Sequence, residues 1–151
     1  YVNYLKSKYE STDIQFQIVG QNIPYYKENE FYDYIRKYNI NGFLLLNEWG
    51  ETYAYLLTKI INSGLPLLYN NFGAFKERLD VTQENTEHYF KVYEDEYNNG
   101  INDIQDYNVL DSQFNNFVEY IHTNNGNTQE MNEDFTIITN YVYDELLLHI
   151  T

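Results

Sequence analysis

Residues 47–79 read NEWGETYAYLLTKIINSGLPLLYNNFGAFKERL, and the fold class follows from them. Just ahead of this stretch, Gly42-Phe43-Leu44-Leu45-Leu46 is a continuous apolar run, as expected of a strand covered on both faces. Inside it, a helix is expected from Glu51 or Thr52 to Asn62, closed by Ser63-Gly64 and Pro66. A glycine just past a helix, with a proline beyond it, is a common way to stop one. Leu67-Leu68-Tyr69 makes a second short strand, and residues 75–80 a further short helix. Strands and helices alternating through short connections form a parallel sheet with helices on its faces.

Working outward, Val2, Leu5 and Tyr9 are spaced for a helix with lysines on the other side. Ile14, Phe16 and Ile18 alternate with Gln15 and Gln17 and end in Val19-Gly20, a strand closing on a glycine turn. Pro24 marks a loop and pushes the residue before it toward extended geometry. Residues 29–38 form an amphipathic helix with Phe31, Tyr34, Ile35 and Tyr38 on one face, ended by Asn39 and Gly42. Toward the other end, residues 88–93 read as a strand and Asn98-Asn99-Gly100 as a turn. A long helix is expected over 106–123, with Val109, Leu110, Phe114, Phe117, Val118 and Ile121 inward. A polar loop over 124–132 follows. Residues 135–150 are apolar and either helical or mixed, with a helix expected over 141–149. The expected fold class is α/β: a Rossmann-like, open, mostly parallel sheet with helices on both faces, in a single domain over 1–151.

The chain has 151 residues, 43% of them apolar, which is room for one domain with a proper core. Aromatics reach 19%, with 18 Tyr, so the negative mean hydropathy reflects Tyr and Asn rather than a shortage of core formers. There is no cysteine, which excludes disulfides, thiolate metal sites and a thiol nucleophile. A net charge of −14 with no basic stripe argues against nucleic acid and anionic membranes. No signal peptide and no apolar run of membrane-spanning length is visible. A cytoplasmic setting without membrane insertion is therefore expected. The first residue is Tyr1 rather than Met, so an upstream part is expected. A single phosphorylated ligand stays compatible with the acidity, because backbone N–H groups at a helix start can hold phosphate.

Ligands of open α/β sheets lie outside the carboxyl ends of the strands, and two expected loops meet there. One carries Gly50 ahead of a helix whose first N–H groups, near Glu51, Thr52 and Tyr53, could meet a phosphate. The other, residues 70–74, contains Gly73, where backbone can approach a ligand closely. Trp49 suits either the wall of a ligand pocket or packing in the core or a loop.

Together these residues resemble the glutamate-bearing segment of retaining GT-B glycosyltransferases. In that family a strand and a Glu-x7-Glu helix precede a strand entered through a small residue, Gly, any residue and Pro. Glu51 falls on the first glutamate, and Ser63-Gly64-Leu65-Pro66 falls on the strand entry. Asn71-Phe72-Gly73-Ala74 with Glu77-Arg78 is similar to the glycine loop that follows. The resemblance implies the donor-binding, carboxy-terminal lobe of a larger two-lobed chain, holding a UDP- or GDP-linked sugar for transfer with retention. It places Glu51 as the catalytic residue near the sugar hydroxyls, and the amides of Thr52 and Tyr53 near the diphosphate. Gly50, Gly73 and Ala74 would line the donor, and no metal or other cofactor is implied. The acceptor-binding lobe lies outside the chain, so the isolated lobe is not expected to turn over substrate. Its open cleft is expected to favour self-association. One position departs: the second glutamate, which in the family binds the ribose hydroxyls, is Lys59 here, and an ammonium accepts no hydrogen bond. That departure suits a second reading, a non-catalytic α/β interaction module or degenerate lobe. A flavodoxin-like domain of other ancestry is a third.

His88, His122 and His149 have no metal spacing, and no P-loop or nucleophile elbow is present. Residues 95–106 carry acids at both ends and Asn99-Gly100 between, a pattern with some likeness to a calcium loop. Tyr97 in a ligand position and the expected strand before it favour a plain acidic turn.

Overall fold

The computed structural model describes residues 1–46, 55–71, 73–81, 87–94, 107–124 and 135–139. Its strands are β1 (Ile14–Ile18), β2 (Ile40–Leu45), β3 (Leu67–Asn71), β4 (Tyr89–Glu94) and β5 (Phe135–Thr139). Its helices are α1 (Val2–Lys8), α2 (Phe31–Lys37, entered through a 3-10 turn at Glu28–Glu30), α3 (Tyr55–Ser63), α4 (Ala74–Val81) and α5 (Tyr107–Asn124). The described strands make one open sheet in the order β1-β5-β2-β3-β4, every pair parallel. The fold is therefore α/β with an open parallel sheet.

Every residue of β2 is buried, because the sheet is covered on both sides. Successive side chains alternate faces. Phe43 and Leu45 join Leu67 and Tyr69 in a core shared with Phe31, Leu57, Ile60 and Phe75 from α2, α3 and α4. Leu44 joins Leu68 and Val92 on the other side, beneath Leu5 of α1 and Leu110, Phe114 and Phe117 of α5. The connections β1-α2-β2, β2-α3-β3 and β3-α4-β4 all step in one direction across the sheet. The β4-α5-β5 connection steps back, and α5 lies on the opposite face. Crossovers of constant right hand require that change of face.

In α5, Leu110, Phe114, Phe117 and Ile121 are buried at the four-three-four spacing of a helix stripe. Val118 packs partly against this core. Val109, expected inward, is 50% exposed. It precedes Leu110 by one position, a turn of about 100° around the helix that carries it off the stripe. The helix sits close to the sheet at Gly42. A Cβ there would stand 2.6 Å from Phe117 Cζ, so only glycine lets β2 pass at this spacing.

α1 is held to α5 by polar contacts above their shared apolar seam. Asp111 Oδ2 accepts hydrogen bonds from Tyr4 Oη at 2.8 Å and from Lys8 Nζ, and Tyr9 Oη donates to Asn115 Oδ1 at 2.7 Å. The Asp111 carboxylate raises the Lys8 pKa. The Tyr4 ring stacks on Tyr107 at 4.2 Å.

β5 lies within the stretch expected to be mixed or helical, and it takes an interior place between β1 and β2. The helix expected over 141–149, the acidic turn over 95–106, Trp49 and most of the loop over 124–132 lie outside the described residues. No helix among the described residues is long and apolar enough to cross a membrane.

Candidate functional site

β2 and β3 deliver the chain to the carboxyl edge of the sheet. Gly50, Glu51, Thr52 and Tyr53, which follow β2, lie outside the described residues. The end of β3 is described in full. Its apolar run Leu67-Leu68-Tyr69 continues into Asn70 and Asn71, both fully buried. Residues 70–74 were expected to be a loop. Instead β3 extends through Asn71, where it pairs with β4 after a register shift between Tyr69 and Asn70. Two buried side-chain amides are thereby set at the edge where ligands of such sheets lie. The sequence hid them, because an Asn pair after an apolar run reads as a turn.

Gly73 then turns the chain with φ of 59°, in the left-handed region that glycine enters without a Cβ penalty. Ala74 opens α4, and Glu77 N–H donates to Gly73 O at 3.1 Å, closing the first turn. Ala74 is only 2% exposed: its methyl is spent on the core, and what it can offer a ligand is backbone. The first N–H groups of α4 are directed back along the helix toward this edge, a geometry suited to an anion.

α4 is fixed in place from two sides. Phe75 and Leu79 are buried beneath it, and Arg78 Nη2 donates to Thr58 Oγ1 of α3 at 2.6 Å. α3 ends as its sequence implies. Gly64 has φ of 70°, its N–H donates to Ile61 O at 3.1 Å, and Ser63 Oγ donates to Ile60 O at 2.6 Å. Pro66 then accepts the Phe43 N–H at 2.9 Å, and β3 starts beside β2. The Ser63-Gly64-Leu65-Pro66 entry thus sets the register that carries Asn71 and Gly73 to the edge.

Of the expected site residues, Gly73 and Ala74 are brought together at the β3–α4 turn. Lys59 lies on the α2 side of α3, its ammonium 5.7 Å from the centre of the Phe31 ring, while its neighbour Thr58 meets α4. His88 precedes β4 at the opposite, amino edge, where its carbonyl accepts the Leu67 N–H. Burial lowers its pKa, with the nearby Glu87 charge working the other way.

Composition of the edge adds one more feature. The exposed large apolar or aromatic side chains among the described residues are Tyr32, Tyr55, Tyr107 and Val109. Each lies in the first turn of α2, α3 or α5, and in a parallel sheet with returning helices those first turns gather at the carboxyl edge. No protein-family model, curated protein or solved structure matches the chain.

Proposed function

We propose that this chain is the donor-binding lobe of a retaining two-lobed glycosyltransferase, holding a UDP- or GDP-linked sugar at the carboxyl edge of its sheet. The observation that carries the reading is the turn at Gly73 and Ala74. A glycine of positive φ and a helix start follow a buried parallel strand there, which supports the likeness of residues 51–78 to the family's motif. Part of the strand order agrees as well: β2, β3 and β4 are consecutive neighbours, as the fourth to sixth strands of a Rossmann-like sheet are. The sheet departs from that order at β5, the last strand in sequence, which lies between β1 and β2.

In this reading Glu51 sits by the sugar hydroxyls. The amides of Thr52, Tyr53 and Ala74 face the diphosphate, with Gly50 and Gly73 leaving room for it. Charge developing on the leaving phosphate is met by fixed N–H dipoles, which act without reorganisation in a site that excludes water. The acceptor comes from a second lobe closing over the same edge, and the exposed Tyr32, Tyr55 and Tyr107 there suit an apolar contact with it. The isolated lobe binds donor and does not turn it over.

Lys59 favours a second reading, a degenerate lobe kept for interaction, because its ammonium over Phe31 cannot take the ribose hydrogen bonds a carboxylate would. Calorimetric titration with UDP and GDP separates the two. A working lobe binds one of them in the micromolar to millimolar range, Lys59→Glu tightens it, and Glu51→Ala weakens a nucleotide sugar more than the bare nucleotide. A folded chain giving no heat with either, with or without Lys59→Glu, supports the interaction module.

A further inference from the structure

Residues 30, 33, 34, 37 and 38 share one face of the helical stretch around α2, spaced three and four apart. Opposite them runs the loop of Pro24, Tyr25 and Tyr26. Between the two lies a cavity of about 380 Å³, within the roughly 300–1,000 Å³ of small-molecule sites. It is separate from the β3–α4 turn, and the proposed donor chemistry makes no use of it.

Four of its lining residues are tyrosines: Tyr25, Tyr26, Tyr34 and Tyr38. Their rings are tilted rather than stacked flat. Tyr26 and Tyr34 are 4.8 Å apart with planes at 52°, and Tyr34 and Tyr38 are 4.6 Å apart at 57°. Tyr26 and Tyr34 line the hollow from buried positions and Tyr25 and Tyr38 from half-buried ones, and the face of such a ring carries negative π-charge. The polar handle of Tyr34 is already committed, since its hydroxyl donates to the Pro24 carbonyl. What Tyr34 has left to offer is its ring.

Among the charged lining residues, Asp33 is paired with Arg36, which leaves the Glu30 carboxylate beside the ammonium of Lys37. The net charge of −14 over the chain disfavours an anion. Lys37 itself shows which chemistry the wall takes, because its Nζ lies 5.1 Å from the centre of the Tyr38 ring, within cation–π range. Lys37 is exposed and on a flexible stem, so an incoming cation can displace it.

We infer that this tyrosine-lined cavity binds an organic ammonium group, with Lys37 as its built-in competitor. The ammonium could belong to a free quaternary amine or to a methylated lysine side chain, two sources of one chemistry.

The test is a nuclear magnetic resonance titration of the whole chain with labelled tyrosine rings. Its probes are choline, the uncharged carbon isostere 3,3-dimethylbutan-1-ol, and N-acetyl-trimethyllysine methylamide. The inference expects the Tyr26, Tyr34 and Tyr38 rings to shift with at least one ammonium probe, bound about tenfold or more tighter than the isostere. The tighter of the two ammonium probes identifies the source. Lys37→Met should strengthen that binding about threefold and leave the isostere unchanged, whereas Tyr38→Leu should weaken it about fivefold. Isostere and ammonium binding alike, or rings unmoved by either ammonium in both wild type and Lys37→Met, would overturn the inference.

Discussion

Where β2 passes under α5, the molecule has no space for a methyl group: a Cβ on Gly42 would press on the edge of Phe117 and on Ile121. Gly42→Ala is therefore expected to cost about 1–3 kcal/mol through overpacking, seen as a lower denaturant midpoint at unchanged slope. Tyr34 anchors the loop after β1 by donating to the Pro24 carbonyl. Tyr34→Phe removes that donor and is expected to cost roughly 1 kcal/mol; an unchanged midpoint would mean the contact contributes nothing. His88 gives a pH signature. Its pKa in the folded chain is pushed down by burial, so the unfolded chain binds the proton more readily. Stability is then present above the ordinary histidine value of about 6.5 and is lost as pH falls below it. His88→Gln should flatten that decline just under pH ~6.5, in denaturation curves taken at stepped pH.

At the scale of elements, α1 depends on α5. Val2 and Leu5 provide the apolar seam, and Asp111 gathers Tyr4 and Lys8 above it. Asp111→Ala should raise amide hydrogen exchange in α1 more than in β2 or β3, with added salt weakening the wild-type clasp in the same direction. Exchange in α1 unaffected by the substitution would leave the apolar seam as its sole support. Most elements were legible in the sequence because each carries a local signal. The run at 42–46 declares a strand covered on both faces, Gly64-Leu65-Pro66 declares where α3 stops, and the 3.6-residue spacing of Phe31, Tyr34 and Tyr38 declares α2. β5 carried no such signal. Phe135-Thr136-Ile137-Ile138-Thr139 is a short apolar run without alternation, and length alone does not tell such a strand from a helix segment. Its place between β1 and β2 is a pairing with strands about a hundred positions away in sequence, which no local window contains. The buried Asn70 and Asn71 were missed for a related reason: their burial comes from β4 alongside, while their residue type signals a turn.

For the molecule as a whole, the features that the proposed donor site uses lie on one edge. The buried amides of β3, the glycine turn into α4 and the exposed Tyr32, Tyr55 and Tyr107 all gather where the strands end. An edge that is exposed and aromatic in the isolated chain should associate with a second copy. Sedimentation velocity is expected to show a mass rising with concentration, reduced by Tyr55→Ser with Tyr107→Ser, and a strictly monomeric profile would contradict it. What that edge holds can be read from backbone amide resonances followed during titration with UDP and GDP. One of the two is expected to shift Asn71, Gly73 and Ala74 in a saturable way, while Gly42 within β2 and His88 at the amino edge stay still. Saturable shifts confined elsewhere, or none with either nucleotide at millimolar concentration, would contradict a donor site at the carboxyl edge.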